Sequence, residues 1–150
     1  MDGWTTETLV RVRFAETDAQ AVAHHAAYLV WFEQARVEYL ERWAGGYPAL
    51  RARGVEAVVT QADLRYLVPA RFDDRLSVWT RCRDVRGARF RFEYLVLRGG
   101  ERLADGWTSH ACIDGRTLEP TRIPAWLREA IVRAESERPA AGAEPAAAEA

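Results

Sequence analysis

The 150-residue sequence contains no lysine, and all 21 of its basic residues are arginine. The absence of lysine excludes Schiff-base chemistry and the lysine of a phosphate-binding loop. Only two cysteines are present, Cys82 and Cys112. Two are too few for a disulfide framework or a cysteine-based zinc site, so both are predicted to be buried thiols with a structural role.

The sequence also lacks an excess of either charge and any long apolar run. With 21 basic and 22 acidic residues the formal net charge is -1, which removes the electrostatic case for binding nucleic acid. No segment approaches the roughly 20 apolar residues that cross a bilayer, so no membrane insertion is expected. Residues 1–7 have neither the basic start nor the apolar core of a signal peptide. We therefore expect a cytoplasmic protein.

The patterns that are present predict strands and helices. Five segments have the polar–apolar alternation or the β-branched and aromatic content of strands: 9–14, 55–66, 76–85, 89–97 and 103–113. Glycines at the ends of the later segments predict tight turns, so these strands form an antiparallel meander. Apolar residues at helical spacing predict a long helix over 25–44 and a short one over 125–134.

The first half of the long helix is apolar on all sides between Ala26 and Phe32. Such a helix cannot face water, so a larger element, most simply a sheet, must wrap it. The sequence therefore predicts an α+β fold with one domain, residues 1–134, in which a curved antiparallel five-stranded sheet surrounds the central helix. The Ala-, Glu- and Pro-rich segment 135–150 is predicted to be disordered. The open edge and face of this sheet favour an oligomer.

Candidate chemistry lies in the loop before the long helix. The first N–H groups of a helix lack intrahelical partners, and Ser, Thr, Asp or Asn usually caps them. Residues 23–26, Ala-His-His-Ala, contain no such cap, so we expect N–H donors to remain for a ligand. Asp18 lies seven residues before His25, and the loop can fold back so that the carboxylate and these donors meet one thioester carbonyl.

Other interpretations of the same residues stay open. Asp18 can hydrogen-bond within its own turn, as Asp often does, and His25 can be an ordinary histidine at a helix start. No third ligand at metal spacing accompanies His24 and His25, so no metal site is expected.

Three segments carry a resemblance to a known family. They are RFAETD at 13–18 with HAAY at 25–28 and EQAR at 33–36, PARFDDRL at 69–76, and GWTSHACID at 106–114 with IPAWL at 123–127. In order and spacing they resemble the hotdog-fold acyl-CoA thioesterases of the 4-hydroxybenzoyl-CoA thioesterase type, closest to the Tol-Pal-associated branch. The resemblance implies Asp18 as the catalytic carboxylate and the His25 backbone N–H as the group that polarises the thioester carbonyl. It also implies a pocket at a subunit boundary of a homodimer or homotetramer.

The sequence departs from this family at two positions. Family members commonly have Gly where Ala21 stands, and often Asn or Ser where Ala27 stands. Ala21 is tolerable unless the loop requires a positive φ there, whereas Ala27 removes a polar contact near the site.

The leading hypothesis is hydrolysis of an acyl-CoA thioester without a metal or redox cofactor. Phe14, Ala26 and Tyr28 are the predicted substrate-binding residues. An acyl carrier protein in place of coenzyme A is one alternative, and a non-catalytic acyl-CoA-binding protein is another. Glu33 and Glu38, on the helix where other hotdog proteins place their acid, are predicted instead to form ion pairs with Arg36 and Arg42.

Overall fold

A computed structural model describes residues 1–137, which form five strands and three α-helices. Their order along the chain is β1 (Thr6–Arg11), α1 (Ala27–Ala44), α2 (Gly46–Ala52), β2 (Val55–Tyr66), β3 (Arg75–Arg86), β4 (Arg89–Arg98), β5 (Glu101–Asp114) and α3 (Ala125–Ser136). The strands form one antiparallel sheet in the order β1-β3-β4-β5-β2. This is the predicted α+β hotdog fold, with α1 as the long central helix.

Helix α1 packs against the inner face of the sheet through large aromatic residues. Phe32 is fully buried and stacks on Tyr94 of β4, with ring centroids 4.1 Å apart. Gly106 of β5 makes this close packing possible, because a Cβ there would overlap the Asp63 carbonyl oxygen of β2 and lie 3.0 Å from the Phe32 ring. A larger residue would therefore disturb both the β2–β5 pairing and the contact with Phe32.

Two expectations about the fold were wrong, one about the first strand and one about the central helix. The first strand covers Thr6–Arg11 rather than 9–14, because the chain turns into a short 3-10 helix at Phe14–Glu16 although the alternation continues. The first half of α1 is not covered on every side, since Leu29 is 40% and Val30 is 52% exposed. Apolar composition indicated burial, but within a single chain the sheet covers only one side of this helix.

Arg36 does not form the predicted surface ion pair. Its side chain is buried, and Nη1 donates to the Tyr94 hydroxyl at 3.2 Å. That hydroxyl lies 2.7 Å from Thr108 Oγ1, which in turn lies 2.7 Å from His110 Nε2. Burial, and then the charge of Arg36, lower the pKa of His110 to about 3. A neutral histidine therefore ends a buried polar chain between α1 and the sheet.

The second expected ion-pairing glutamate, Glu38, instead accepts a hydrogen bond from the Thr8 hydroxyl at 2.7 Å. Both Cys82 and Cys112 are buried free thiols, as predicted. No helix within residues 1–137 has both the length and the apolar character needed to span a membrane.

Helix α3 ends two residues later than predicted, at Ser136. Glu135, which was assigned to the tail, bonds to Thr5 and to residues of α1 and β3. Residues 138–150 of that tail lie outside the described residues. The alanine-rich composition obscured this boundary because alanine also suits a helix.

Candidate active site

The loop before α1 is a tight hairpin that begins at Glu16 and ends at His24. Thr17 and Ala23 face each other as an antiparallel bridge. The Asp18 N–H donates to the Val22 carbonyl at 2.9 Å, and the His24 N–H donates to the Glu16 carbonyl at 2.6 Å. These bonds bring Asp18 back toward the start of the helix, as the loop hypothesis required.

A second anchor ties this hairpin to the rest of the domain. The Ala23 N–H donates to the Ala70 carbonyl at 2.7 Å, and the Ala70 N–H donates to the Tyr28 hydroxyl at 3.3 Å. Segment 67–74, which follows β2, is thus bonded both to the loop and to the first turn of α1. The loop position is therefore set by the sheet as well as by the helix.

Only one of the two carboxylate oxygens of Asp18 accepts a hydrogen bond within the described residues. Oδ1 accepts the Gln20 N–H at 2.8 Å, which is the turn interaction that sequence reasoning allowed. Oδ2 has no partner among residues 1–137, and the side chain is partly exposed. The two interpretations are therefore compatible, because one oxygen fixes the loop and the other is available to a ligand.

As the sequence predicts, no side chain caps α1 within the described residues, since its N-cap residue, Ala26, makes no side-chain hydrogen bond. His24 occupies two nearby N–H groups: its Nδ1 accepts the Ala26 N–H at 3.1 Å, and its carbonyl accepts the Ala27 N–H at 2.9 Å. The N–H of His25 nevertheless has no acceptor among residues 1–137, and its imidazole stacks on that of His24 at 4.1 Å between centroids.

Asp18 and His25 lie on the wall of one pocket of about 350 Å³. Tyr28, a predicted substrate-binding residue, lines it as well. Phe14 and Ala26 do not line this pocket in the single chain. Phe14 is 77% exposed and contacts Phe72 edge to face, with centroids 5.9 Å apart.

Sequence reasoning missed the opposite wall of this pocket. That wall consists of residues at and just beyond the end of β2: Tyr66, Leu67, Val68 and Pro69. The Tyr66 hydroxyl donates to the His25 carbonyl at 2.8 Å, and its ring meets Tyr28 edge to face at 5.1 Å. Burial raises the pKa of both tyrosines, so their hydroxyls remain neutral and able to donate at pH 7.

Glu16, on the other side of the hairpin, is a buried carboxylate that sequence reasoning also missed. Oε1 accepts the Arg13 N–H at 2.9 Å, and Oε2 accepts the Trp31 indole N–H at 2.9 Å. The i,i+3 spacing of Arg13 and Glu16 was a local signal of this capping interaction. The Trp31 contact spans 15 residues and had no local signal.

Ala21 adopts a positive φ of 60° at the turn of the hairpin. This is the condition under which the sequence argument judged alanine unfavourable, since a Cβ in the left-handed region clashes with the following carbonyl. The Ala21 N–H donates to the Asp18 carbonyl at 3.0 Å and thereby closes the turn. A strained residue therefore stands three positions after the candidate catalytic carboxylate.

These features together define a thioesterase-like protein of the hotdog fold. The family model described as the Thioesterase-like superfamily matches residues 12–131, and the chain belongs to this family. Among curated relatives, acyl-CoA thioesterase YbgC of Haemophilus influenzae is 34% identical over 123 residues, which cover 81% of this chain and 90% of that protein.

Two solved structures from Thermus thermophilus are similar in both sequence and fold. The hypothetical protein TT1821 is 38% identical with a TM-score of 0.80, and the match covers 85% of this chain and 97% of that one. A thioesterase complexed with coenzyme A and Zn, from the same species, is 29% identical with a TM-score of 0.80, and the match covers 93% and 99%. Among residues 1–137 of the present chain, no three His, Cys, Asp or Glu side chains cluster as a metal site would require.

Proposed function

We propose that this chain is an acyl-CoA thioesterase that hydrolyses its substrate to a free acid and coenzyme A, using Asp18 and the His25 amide. The observation that carries this proposal is the shared pocket. Asp18 and His25 both line it, and within residues 1–137 one Asp18 oxygen and the His25 N–H have no partner. The names of the H. influenzae relative and of the coenzyme A complex support the same activity.

The His25 N–H would donate to the thioester oxygen as that oxygen becomes negatively charged. One such donor contributes on the order of 3 kcal/mol to stabilisation of the transition state. The position near the N-terminus of α1 adds the partial positive charge of the helix end. The Tyr66 hydroxyl holds the next carbonyl, that of His25, and so restrains the peptide that follows the donor.

Asp18 would act on the carbonyl carbon in one of two ways. As a nucleophile, its free oxygen forms a mixed anhydride, the carbon–sulfur bond breaks, and the coenzyme A thiolate leaves before water hydrolyses the anhydride. As a general base, Asp18 takes a proton from a water that attacks directly, and the same bond then breaks. Both routes consume one water and need no group beyond those of the chain and the substrate.

The acyl group would lie between the two pocket walls. Tyr28 and Tyr66 offer aromatic faces, and Leu67 and Val68 offer apolar contacts. Ala26 and Phe14 would reach the substrate from the loop side. Phe14 contacts Phe72 at the surface, so its contribution would lie at the outer end of the site.

A second copy of the chain would complete this site. Exposed apolar residues lie on the first half of α1 and on the edge strand β2: Leu29, Val30, Val58 and Val59. Among residues 1–137, strand β2 pairs only with β5, which leaves its other edge open there. Both features favour a homodimer or homotetramer, because they leave apolar surface and backbone hydrogen-bonding groups in water.

The test is the variant Asp18→Asn, which keeps the size of the side chain and an oxygen for the Gln20 N–H. We expect its kcat for acyl-CoA hydrolysis to fall by roughly 100-fold or more, because an amide is neither a nucleophile nor a base. Thiol release from a panel of acyl-CoA substrates measures the rate. The matched control is Asp2→Asn, an exposed residue of the N-terminal segment that does not line the pocket, which should retain full activity.

Two further measurements accompany this comparison. Light scattering should give a mass of at least two 17.0 kDa chains for the parent and for both variants. The same acyl group presented on an acyl carrier protein should be hydrolysed more slowly than on coenzyme A. Retained activity in Asp18→Asn would refute the assignment of Asp18, and binding of acyl-CoA without turnover by the parent would refute the enzymatic function.

A further inference from the structure

Glu16 is the acidic residue of the hairpin that points into the protein rather than into the pocket. Its side chain is only 8% exposed. Each carboxylate oxygen accepts an N–H, one from the backbone of Arg13 and one from the indole of Trp31, both at 2.9 Å. Trp31 is 2% exposed and belongs to α1. A buried carboxylate with a fixed donor on each oxygen is held in one orientation.

The backbone of Glu16 makes a third connection. Its carbonyl accepts the His24 N–H at 2.6 Å and so closes the hairpin at its base. Asp18 follows Glu16 by two residues, and His25 follows His24 by one. Asp18 and His25 therefore each lie within two residues of the hydrogen bond between the His24 N–H and the Glu16 carbonyl.

We propose that Glu16 is a positioning residue that fixes the Asp18 carboxylate relative to the His25 amide by anchoring the hairpin to Trp31. The inference rests on the proposed function, because it assigns importance to the distance between these two groups. A displacement of about 1 Å at a reacting centre can reduce a rate by roughly 100-fold. The bond of Glu16 to Trp31 ties the base of the hairpin to α1, and the bond of Ala23 to the Ala70 carbonyl ties it to segment 67–74.

The ionisation of Glu16 agrees with this role. Burial opposes the charged form, but hydrogen bonds from the Arg13 backbone, the Arg13 guanidinium and Trp31 outweigh it and lower the pKa of Glu16 below its ordinary value. Glu16 therefore stays a carboxylate at neutral pH and accepts from both N–H groups at once.

The variants Glu16→Gln and Trp31→Phe test the anchor from its two sides. Glutamine presents an NH2 group where a second acceptor is needed, and phenylalanine removes the indole N–H while keeping an aromatic ring. We expect kcat to fall roughly 10- to 100-fold in Glu16→Gln and about fivefold in Trp31→Phe, with KM within about twofold of the parent. The double variant should be no slower than Glu16→Gln, because both changes remove the same link.

Rates are measured well below the melting temperature of each variant, with the folded fraction checked by circular dichroism. The control Glu129→Gln, an exposed position on α3, should match the parent. A melting temperature that falls while kcat per folded enzyme stays unchanged in both variants would overturn the proposal, and so would a rise in KM alone. If Asp18→Asn remains active in the same assay, the proposed function fails first, which separates the two failures.

Discussion

At the N-terminal end of α1, one oxygen of Asp18 and the N–H of His25 have no partner within residues 1–137. At the C-terminal end, the groups nearest the terminus are paired. Gly45 ends the helix in a left-handed conformation and donates to the Leu40 carbonyl, and Arg133 donates to the Trp43 carbonyl at 3.1 Å. The two ends of α1 therefore differ in whether the groups beside them are free to bind a ligand.

Near the C-terminal end of α1, the carboxylate of Glu135 has a hydrogen-bond donor on each of its oxygens. Its carboxylate accepts from the Thr5 hydroxyl at 2.8 Å, the Tyr39 hydroxyl at 2.7 Å, the Cys82 N–H at 2.9 Å and the Arg83 guanidinium at 2.6 Å. These donors belong to segments far apart in the sequence, from the N-terminus to β3. Glu135 and Asp18 are both acids, but only Asp18 has an oxygen left for a substrate. Within this pair, we expect the saturated acid to stabilise the fold and the unsaturated acid to act on the substrate.

The largest effect on stability is therefore expected from Glu135→Ala. Removal of this carboxylate leaves the Arg83 charge and several buried donors without a partner, which costs about 3 kcal/mol of unfolding free energy. Urea denaturation followed by circular dichroism measures the loss. The kcat of the folded fraction should stay close to that of the parent, because Glu135 does not line the pocket.

The control for this change is Glu129→Ala on the exposed side of the same helix, where we expect a change below about 0.5 kcal/mol. Equal effects at the two positions would mean that the contacts of Glu135 carry no net stability. A drop in kcat in Glu135→Ala at full folding would break the comparison, since it would connect the saturated end of α1 to the chemistry.

Some features of the molecule are predicted by the sequence and others are not. The pattern of β2 predicts its observed limits, and the loop before α1 is identified from Asp18 and the apolar helix that follows. The Trp31 contact of Glu16 and the partners of Glu135 were not predicted, because a hydrogen bond across 15 to 130 residues leaves no periodic signal. The first strand was misplaced for a different reason, since alternation persists to Phe14 although the backbone has already turned.

A smaller effect on stability is expected at His110 of β5, the last residue of the buried polar chain that starts at Arg36 in the middle of α1. Its pKa in the folded protein is about 3, whereas an unfolded chain has a histidine pKa near 6.5. Between these values the unfolded state binds more protons, so stability falls as pH falls. We expect His110 alone to remove about 2 kcal/mol of unfolding free energy between pH 7 and pH 5.

The variant His110→Gln tests this prediction, because its amide can approach Thr108 but does not titrate. Its absolute stability will be lower, and the informative quantity is the difference in unfolding free energy between pH 7 and pH 5. That difference should be smaller in the variant than in the parent by about the same 2 kcal/mol. An unchanged difference would contradict the prediction, because the pH dependence would then not come from His110.

The smallest effect on stability is expected at Ala21, which adopts a positive φ in the hairpin before α1. A left-handed alanine costs about 1–2 kcal/mol, and glycine removes this cost while adding about 0.4–1 kcal/mol of chain entropy to the unfolded state. Ala21→Gly should therefore stabilise the protein by about 0.5 kcal/mol. Ala19→Gly, in the same hairpin but without a positive φ, supplies the control and should destabilise it.

The midpoints of urea denaturation for these two glycine variants, measured against the parent, decide the question. Opposite signs would show that Ala21 is held in an unfavourable conformation by the bonds around it, which is the condition for a rigid Asp18. Equal destabilisation would mean that the hairpin relaxes around Ala21 and stores no strain. In that case the distance between Asp18 and His25 would depend on the anchors at Glu16 and Ala23, and Glu16→Gln should show the upper end of its expected loss in kcat.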